Sequence, residues 1–194
     1  MIGVICPSIF EYKALSRVKF PKKNVTLVKS GMGKVRALDA CHVLARQRRL
    51  EAILLVGFAG SLTDSLKIGD VIEPNVFIEQ DYNAEPFEKF PNRIEKKGKL
   101  LAESHQAAML TQDRFLTENP YRGTAYEKRY KKLACDMESY AVAYFCRLYR
   151  VRYSVVKLIS DTADPQADHD FLKACRQLSP KLNRVVSQAV SAIK

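Results

Sequence analysis

The stretch that decides the fold is Tyr153-Ser154-Val155-Val156-Lys157-Leu158-Ile159-Ser160-Asp161, residues 153–161. Tyr153 to Ile159 is rich in β-branched and apolar side chains. It reads as a buried strand that stops at Ser160-Asp161. Just before it, Met137, Tyr140, Ala141, Tyr144, Phe145 and Leu148 recur at the spacing of a buried helix face. Just after it, Phe171, Leu172, Cys175 and Leu178, then Leu182, Val185, Val186 and Ala189, repeat a helical period. Pro180 is expected to kink or restart that helix, because proline lacks the N–H and crowds the preceding turn.

The same alternation extends toward the amino terminus. Ile2–Cys6 reads as a first strand, and Glu11–Arg17, after Pro7-Ser8, as a short helix. Val25–Val28 is a second strand, ending in Ser30-Gly31-Met32-Gly33. The helix predicted from Lys34 to Arg48 has Val35, Leu38, Val43 and Leu44 as its apolar face. Ala52–Val56 reads as a buried strand closed by a turn at Gly57-Phe58-Ala59-Gly60, and Val71–Ile78 as another. The middle is less regular, with a long loop expected over 81–99, a strand at Ala107–Leu110 and a helical piece at Tyr126–Lys131. Strands alternating with helices predict one α/β domain over 1–194, with helices on both sheet faces. Ligands of such sheets sit outside the carboxyl ends of the strands, where Glu11, Ser30–Gly33, Gly57–Gly60 and Asp161 all fall.

Composition narrows the class. The 194 residues are 47% hydrophobic, enough for a substantial core and too apolar for a disordered chain. The apolar runs are strand-sized, not membrane-sized, and Met1–Ile9 lacks the pattern of a signal peptide, so a cytoplasmic protein away from membranes is expected. Five cysteines without a CxxC pair argue for reduced thiols filling small apolar spaces. With 32 Lys and Arg against 21 Asp and Glu, the net charge is +11. The basic groups are scattered in sequence and none alternates with aromatics, so nucleic acid is not an expected partner.

Taken singly, the candidate chemistry is weak. Ser30-Gly31-Met32-Gly33-Lys34 could meet an anion at a helix start, but it is neither a Walker loop nor a complete GxGxxG, and a tight strand-to-helix turn explains it better. Asp136 and Glu138 could be acids favoured near a helix start, and Asp161 a capping residue. His42, His105 and His169 lack metal-ligand spacing.

In order along the chain, however, several segments resemble the purine nucleoside phosphorylase superfamily, closest to its methylthioadenosine/S-adenosylhomocysteine nucleosidase-like members. They are Ser-Gly-Met-Gly-Lys-Val (30–35), Gly-Phe-Ala-Gly-Ser-Leu (57–62), Lys-Ile-Gly-Asp-Val (67–71), Gln-Asp-Arg-Phe-Leu (112–116), Asp-Met-Glu-Ser-Tyr-Ala-Val-Ala (136–143) and Val-Val-Lys-Leu-Ile-Ser-Asp-Thr-Ala-Asp (155–164). The resemblance implies a three-layer α/β/α fold with a central mixed, partly barrel-like sheet. It also implies hydrolysis of a purine nucleoside, best matched by a 5′-modified adenosine, by a homodimer that needs no cofactor or metal. Asp161 matches the family's acid at purine N7, and Glu11 the glutamate that activates water. Glu138 matches the residue holding the ribose hydroxyls, and Met137 the one packed on the sugar. Phe115 matches the ring stacked on the base and Leu116 the backbone reading its edge, with Ala59 and Gly60 beside it.

Two positions depart from the family. Phe58 stands where many nucleosidases have serine near the water and sugar, and Lys157 where an arginine usually supports the site. Leu55 and Phe58 also occupy the places of the phosphate-binding arginine and serine of the family's phosphorylases. That favours hydrolysis over a phosphorylase using the Gly31–Gly33 loop with Lys157, while Phe58 leaves an inactive nucleoside-binding homologue as the other alternative. The chain is also shorter than usual for the family within the Pro91–His105 region, where a family helix is expected to be shrunken or absent.

Overall fold

The computed structural model describes residues 1–22, 24–47, 49–82 and 92–193. The strands are β1 (Ile2–Cys6), β2 (Val25–Lys29), β3 (Ala52–Ser61), β4 (Val71–Ile72), β5 (Val76–Glu79), β6 (Arg93–Glu95), β7 (Ala108–Thr111), β8 (Leu133–Asp136) and β9 (Arg152–Asp161). The helices are α1 (Ile9–Leu15), α2 (Lys34–Ala45), α3 (Ala125–Arg129), α4 (Ser139–Leu148), α5 (Ala167–Gln177) and α6 (Ser179–Ala192). All described strands join one mixed sheet, ordered β2-β1-β3-β8-β7-β5-β6, with β9 beside β3 and β4 beside β9. The sheet is not closed on itself.

Alternating side chains of the central strands serve opposite faces, which is why the strands read as unbroken apolar runs. Ile5, Ile53, Leu55 and Val155 join one core cluster with Cys41, Leu44, Val142 and Phe145 of α2 and α4. Val4, Leu54, Val56 and Val156 join another with Leu15 of α1, Cys175 of α5 and Leu182 and Val186 of α6. The helices thus cover both faces. All five cysteines are free and buried. Among the described residues no helix is long and apolar enough to cross a membrane.

Four expectations are corrected. First, β3 does not end at Val56 but runs through Gly57–Gly60 to Ser61, pairing with β9 and, at its end, with β8. The register slips between Ala59 and Gly60, so the glycines mark a bulge inside a strand and not a turn. Second, α2 buries Ala37, Ala40, Cys41 and Leu44, while Val35 is 76% exposed and Val43 is also exposed. Small side chains let α2 lie close to β1, where a Cβ on Gly3 would come 2.5 Å from Leu44 Cδ1. Third, Val71–Ile78 is two strands broken around Pro74, whose missing N–H cannot serve a ladder. Fourth, Leu133–Asp136 is a buried strand that ends where α4 was expected to begin, and Leu148 on that helix is exposed.

Of the expected loop over 81–99, residues 83–91 lie outside the described residues, and 93–95 form β6 against β5. No helix occurs between residues 92 and 105. The buried Glu73 carboxylate organises that shortened segment, accepting from the Leu100 and Leu101 N–H groups and the Ser104 hydroxyl.

Candidate active site

The carboxyl ends of β1, β3, β8 and β9 open onto one cavity, with about 540 Å³ of empty space including its mouth. Glu11 is carried to it by α1. Ser8 caps that helix, its Oγ accepting from Glu11 N (3.2 Å), while Ser8 N donates to Glu11 Oε2 (2.6 Å). The other oxygen, Oε1, accepts from Phe58 N at 2.9 Å. Gly57 makes this approach possible, since a Cβ there would stand 2.2 Å from Oε1. Glu11 is therefore a helix cap, a tie between α1 and β3 and part of the cavity wall.

Asp161 ends β9. Its Oδ2 accepts from Ser160 Oγ (2.6 Å) and its Oδ1 from Ala163 N (3.1 Å). Burial raises its pKa above the ordinary carboxylate range, against the pull of those two donors. Gly60 leaves room for it, as a Cβ there would lie 2.8 Å from Asp161 Oδ1 and 3.1 Å from Cys135 Sγ.

Glu138 stands between β8 and α4, where Oε1 accepts from Gly33 N at 2.9 Å and Oε2 from Lys157 Nζ at 3.4 Å. Burial pushes its pKa up, Lys157 opposes, and Asp136 adds to the rise. Lys157 is fully buried behind Glu138 and also pairs with Asp136 at 3.1 Å. Burial works against its charge, but Asp136, Glu138 and Glu11 outweigh that and raise its pKa. Asp136 is itself held by Thr111 Oγ1 and by the N–H and hydroxyl of Ser139. A buried ammonium is tolerable here because two carboxylates neutralise it and each has further donors.

The remaining expected residues, Met137, Phe115, Leu116, Phe58, Ala59 and Gly60, all line the same cavity. Lys157 alone of the expected residues is not in its wall; it contacts Glu138, which is. The residues that sequence reading missed are Asp136, taken for a helix-start acid, and Phe171, taken for a helix-face residue of the tail. The Phe171 ring lies 6.1 Å from Phe58, 5.9 Å from Phe115 and 6.5 Å from Phe10, each edge-on. Phe58, the odd residue in its motif, thus has a packing partner, and the signal for it was the surplus of rings at 10, 58, 115 and 171. Among the described residues no group of His, Cys, Asp and Glu is arranged to hold a metal.

Three buried carboxylates converging on a cavity with an aromatic wall suit a ligand with a flat apolar part and several hydroxyls or a cationic character. Comparison with known proteins gives this arrangement a context. The sequence model of the phosphorylase superfamily matches residues 10–191. The 5′-methylthioadenosine/S-adenosylhomocysteine nucleosidase of Buchnera aphidicola is 30% identical in an alignment 186 residues long that covers 87% of this chain and 80% of the relative. The fold is shared with the crystal structure of the nucleosidase of that name from Helicobacter pylori with butyl-thio-DADMe-Immucillin-A (TM-score 0.85, 21% identity, 99% of this chain and 98% of the other). It is shared equally with the futalosine hydrolase of Helicobacter pylori (TM-score 0.85, 20% identity, 99% and 97%).

Proposed function

The chain belongs to the phosphorylase superfamily, within its methylthioadenosine/S-adenosylhomocysteine nucleosidases, and on that premise we propose that it hydrolyses a 5′-modified adenosine or a closely related purine nucleoside. The reaction adds water across the bond from C1′ to the base nitrogen. Hydroxide joins C1′, the glycosidic bond breaks and its electron pair leaves with the purine, which takes up a proton.

Each step has a group suited to it. Asp161, protonated more readily than an ordinary aspartate, donates to the departing purine at N7 and stabilises the charge building there. Glu11 accepts the proton of the attacking water. Glu138 accepts from the ribose hydroxyls and, as an anion, favours positive charge on the sugar. Met137 packs on the ribose, Phe115 stacks on the base, and the Leu116 backbone reads its edge beside Ala59 and Gly60. Lys157 holds Glu138 in place. Phe58 brings an apolar ring where a serine would offer a hydroxyl to the water.

One observation carries hydrolysis over phosphorolysis. The Gly31–Gly33 loop and Lys157, the two features that could hold phosphate, are both spent on Glu138, through Gly33 N at 2.9 Å and Lys157 Nζ at 3.4 Å. An anion arriving there would face Glu11, Asp136 and Glu138, with Lys157 already paired to two of them and Arg114 the exposed cation of the cavity wall. For the finer substrate, the edge-on pair Phe58 and Phe171 in the cavity wall supports an apolar 5′ group such as methylthio, with S-adenosylhomocysteine and futalosine-type nucleosides as the further candidates.

A nucleoside panel assayed for free base, with and without phosphate, tests the reading. Equal turnover in phosphate-free buffer, with free ribose as product, is expected. Strict phosphate dependence with ribose 1-phosphate as product would overturn hydrolysis, and ligand binding without base release would indicate an inactive homologue.

A further inference from the structure

Two carboxylates far apart in the chain are tied to neighbouring peptides at the start of α2. Gly33 N donates to Glu138 Oε1 at 2.9 Å, and the next N–H, that of Lys34, donates to Asp113 Oδ1 at 2.8 Å. Donors at a helix start have no partner inside the helix, so side-chain acceptors satisfy them. Glu138 belongs to the sugar side of the proposed site. Asp113 is not in the cavity wall, but it immediately precedes Arg114, Phe115 and Leu116, which are.

Asp113 is held from a second direction. Its own N–H donates to Asp81 Oδ2 at 2.9 Å, and the other oxygen of Asp81 meets Lys34 Nζ at 2.5 Å. Lys34 Nζ also pairs with Glu79 Oε1 at 2.8 Å, at the end of β5. Burial works against the Lys34 charge, but Asp81 and Glu79 outweigh it and raise its pKa. Lys34 and Asp113 are thus joined twice, directly through the Lys34 N–H and again through Asp81. The residue before Asp113 is anchored as well. Gln112 N donates to the Asp136 carbonyl at 3.1 Å, and Gln112 Oε1 accepts from Tyr121 Oη at 2.6 Å. Asp113 is exposed and adds no core packing, so what its bonds fix is the place of the segment that follows it.

We propose that Asp113, seated by Lys34 and Asp81, is a positioning residue for purine recognition. It sets Phe115 and the Leu116 backbone against Glu138 through two consecutive peptides of α2, so that base and sugar are gripped in one register. The inference rests on the nucleosidase reading, in which those residues hold the base and the ribose. Neither Glu11 nor Asp161 is bonded to this network among the described residues; their partners are Ser8 and Phe58, and Ser160 and Ala163. Loosening Asp113 therefore acts on binding of the base and spares the groups that move protons.

Calorimetry of free adenine binding to the full chain, together with steady-state kinetics on methylthioadenosine, tests this. Asp113→Ala should weaken adenine binding about tenfold, within the range for losing one base stack. KM for the nucleoside should rise by a similar factor while kcat stays within about threefold, the pattern of lost ground-state binding. Asp81→Ala, which leaves the Asp113 N–H without its acceptor, should act in the same direction. Asp113→Asn keeps an oxygen that can accept from the Lys34 N–H, and should stay within about threefold of the wild type. Asp39→Ala, an equal charge change at an exposed position of α2, should stay within about twofold. A melting temperature lowered by Asp113→Ala with adenine affinity unchanged would make the residue merely structural and overturn the proposal. So would an Asp113→Asn variant as weak as Asp113→Ala. In both cases the nucleosidase reading would stand. Absence of both adenine binding and base release in the wild type would overturn that reading, and this inference with it.

Discussion

Gly33 and Glu138, 105 residues apart, are joined by a hydrogen bond of 2.9 Å from the glycine N–H to the glutamate Oε1. The bond sets the carboxylate against the start of α2 and leaves Lys157 to hold the other oxygen. Gly33 has φ of 104°, a conformation that side chains resist, and a Cβ there would lie 3.0 Å from Asp113 Oδ1. Gly33→Ala should turn or shift the peptide and break the bond. A charge-assisted hydrogen bond is worth about 1.5–3 kcal/mol, so KM for the nucleoside should rise about tenfold or more. Steady-state kinetics check it, and an unchanged KM would detach Glu138 from sugar binding.

Gly57→Ala tests the seat of Glu11. The new methyl carbon would stand 2.2 Å from Oε1, so the carboxylate must leave the Phe58 N–H. Turnover should fall about 10²-fold or more, the scale of a displaced general base. Gly98→Ala is the matched control, with φ of 78° but nothing within 4 Å of its Cβ. It should cost about 1 kcal/mol of stability, from the backbone alone, with turnover unchanged. Stability from urea melts and turnover from base release separate the two effects.

Asp161→Asn should lower turnover about 10²–10⁴-fold while retaining much of the nucleoside affinity. It should also raise the melting temperature at pH 7. The folded-state pKa of Asp161 is raised by burial, so the folded protein holds this proton more tightly than the unfolded chain. Stability from this group is present below the ordinary aspartate pKa and is lost as pH rises through the raised value. Asparagine cannot ionise, and so its advantage should vanish on acidification. Melting curves from about pH 3 to 8 decide it, spanning the ordinary aspartate pKa; a gap independent of pH would contradict the assignment.

Lys157→Met leaves Asp136 and Glu138 buried without their cation. It should destabilise the fold by about 3–5 kcal/mol, the usual effect of breaking one half of a buried pair. Adding Asp136→Asn should recover part of that loss. The double variant should therefore lie above the sum of the singles in a denaturation cycle. Strict additivity would mean that the 3.1 Å contact does not couple the two residues.

Much of this molecule was legible before its coordinates. Strands β1 and β9 stand out because buried parallel strands are apolar on both faces, and Pro180 marks the break between α5 and α6. Glycine misled at Gly57 and Gly60, where its signature looks like a turn but its use is to vacate space for Glu11 and Asp161 inside a continuing strand. Side-chain size misled at α2, where alanines pack inward and Val35 faces out. β8 was too short and too near Lys131-Lys132 to show a period. For the site, motif resemblance brought Glu11, Glu138 and Asp161 together, because nothing in their spacing could. Asp136 and Phe171 were hidden by plausible local roles, and their partners, Lys157 and Phe58, lie far off in the chain.

The capping box at Ser8 gives Glu11 two employments, and they leave different marks under selection. A lineage that stopped cleaving nucleosides would still keep Glu11, because it closes the first turn of α1 and ties that helix to Phe58. Asp161 also holds its turn, through Ser160 Oγ and Ala163 N, but a neutral asparagine could accept there in its place. Its ionised form is a burden to the fold at neutral pH, and drift without catalysis would replace it by asparagine or serine. In descendants and variants of this chain, then, a surviving Glu11 records ancestry, whereas a surviving Asp161 records use.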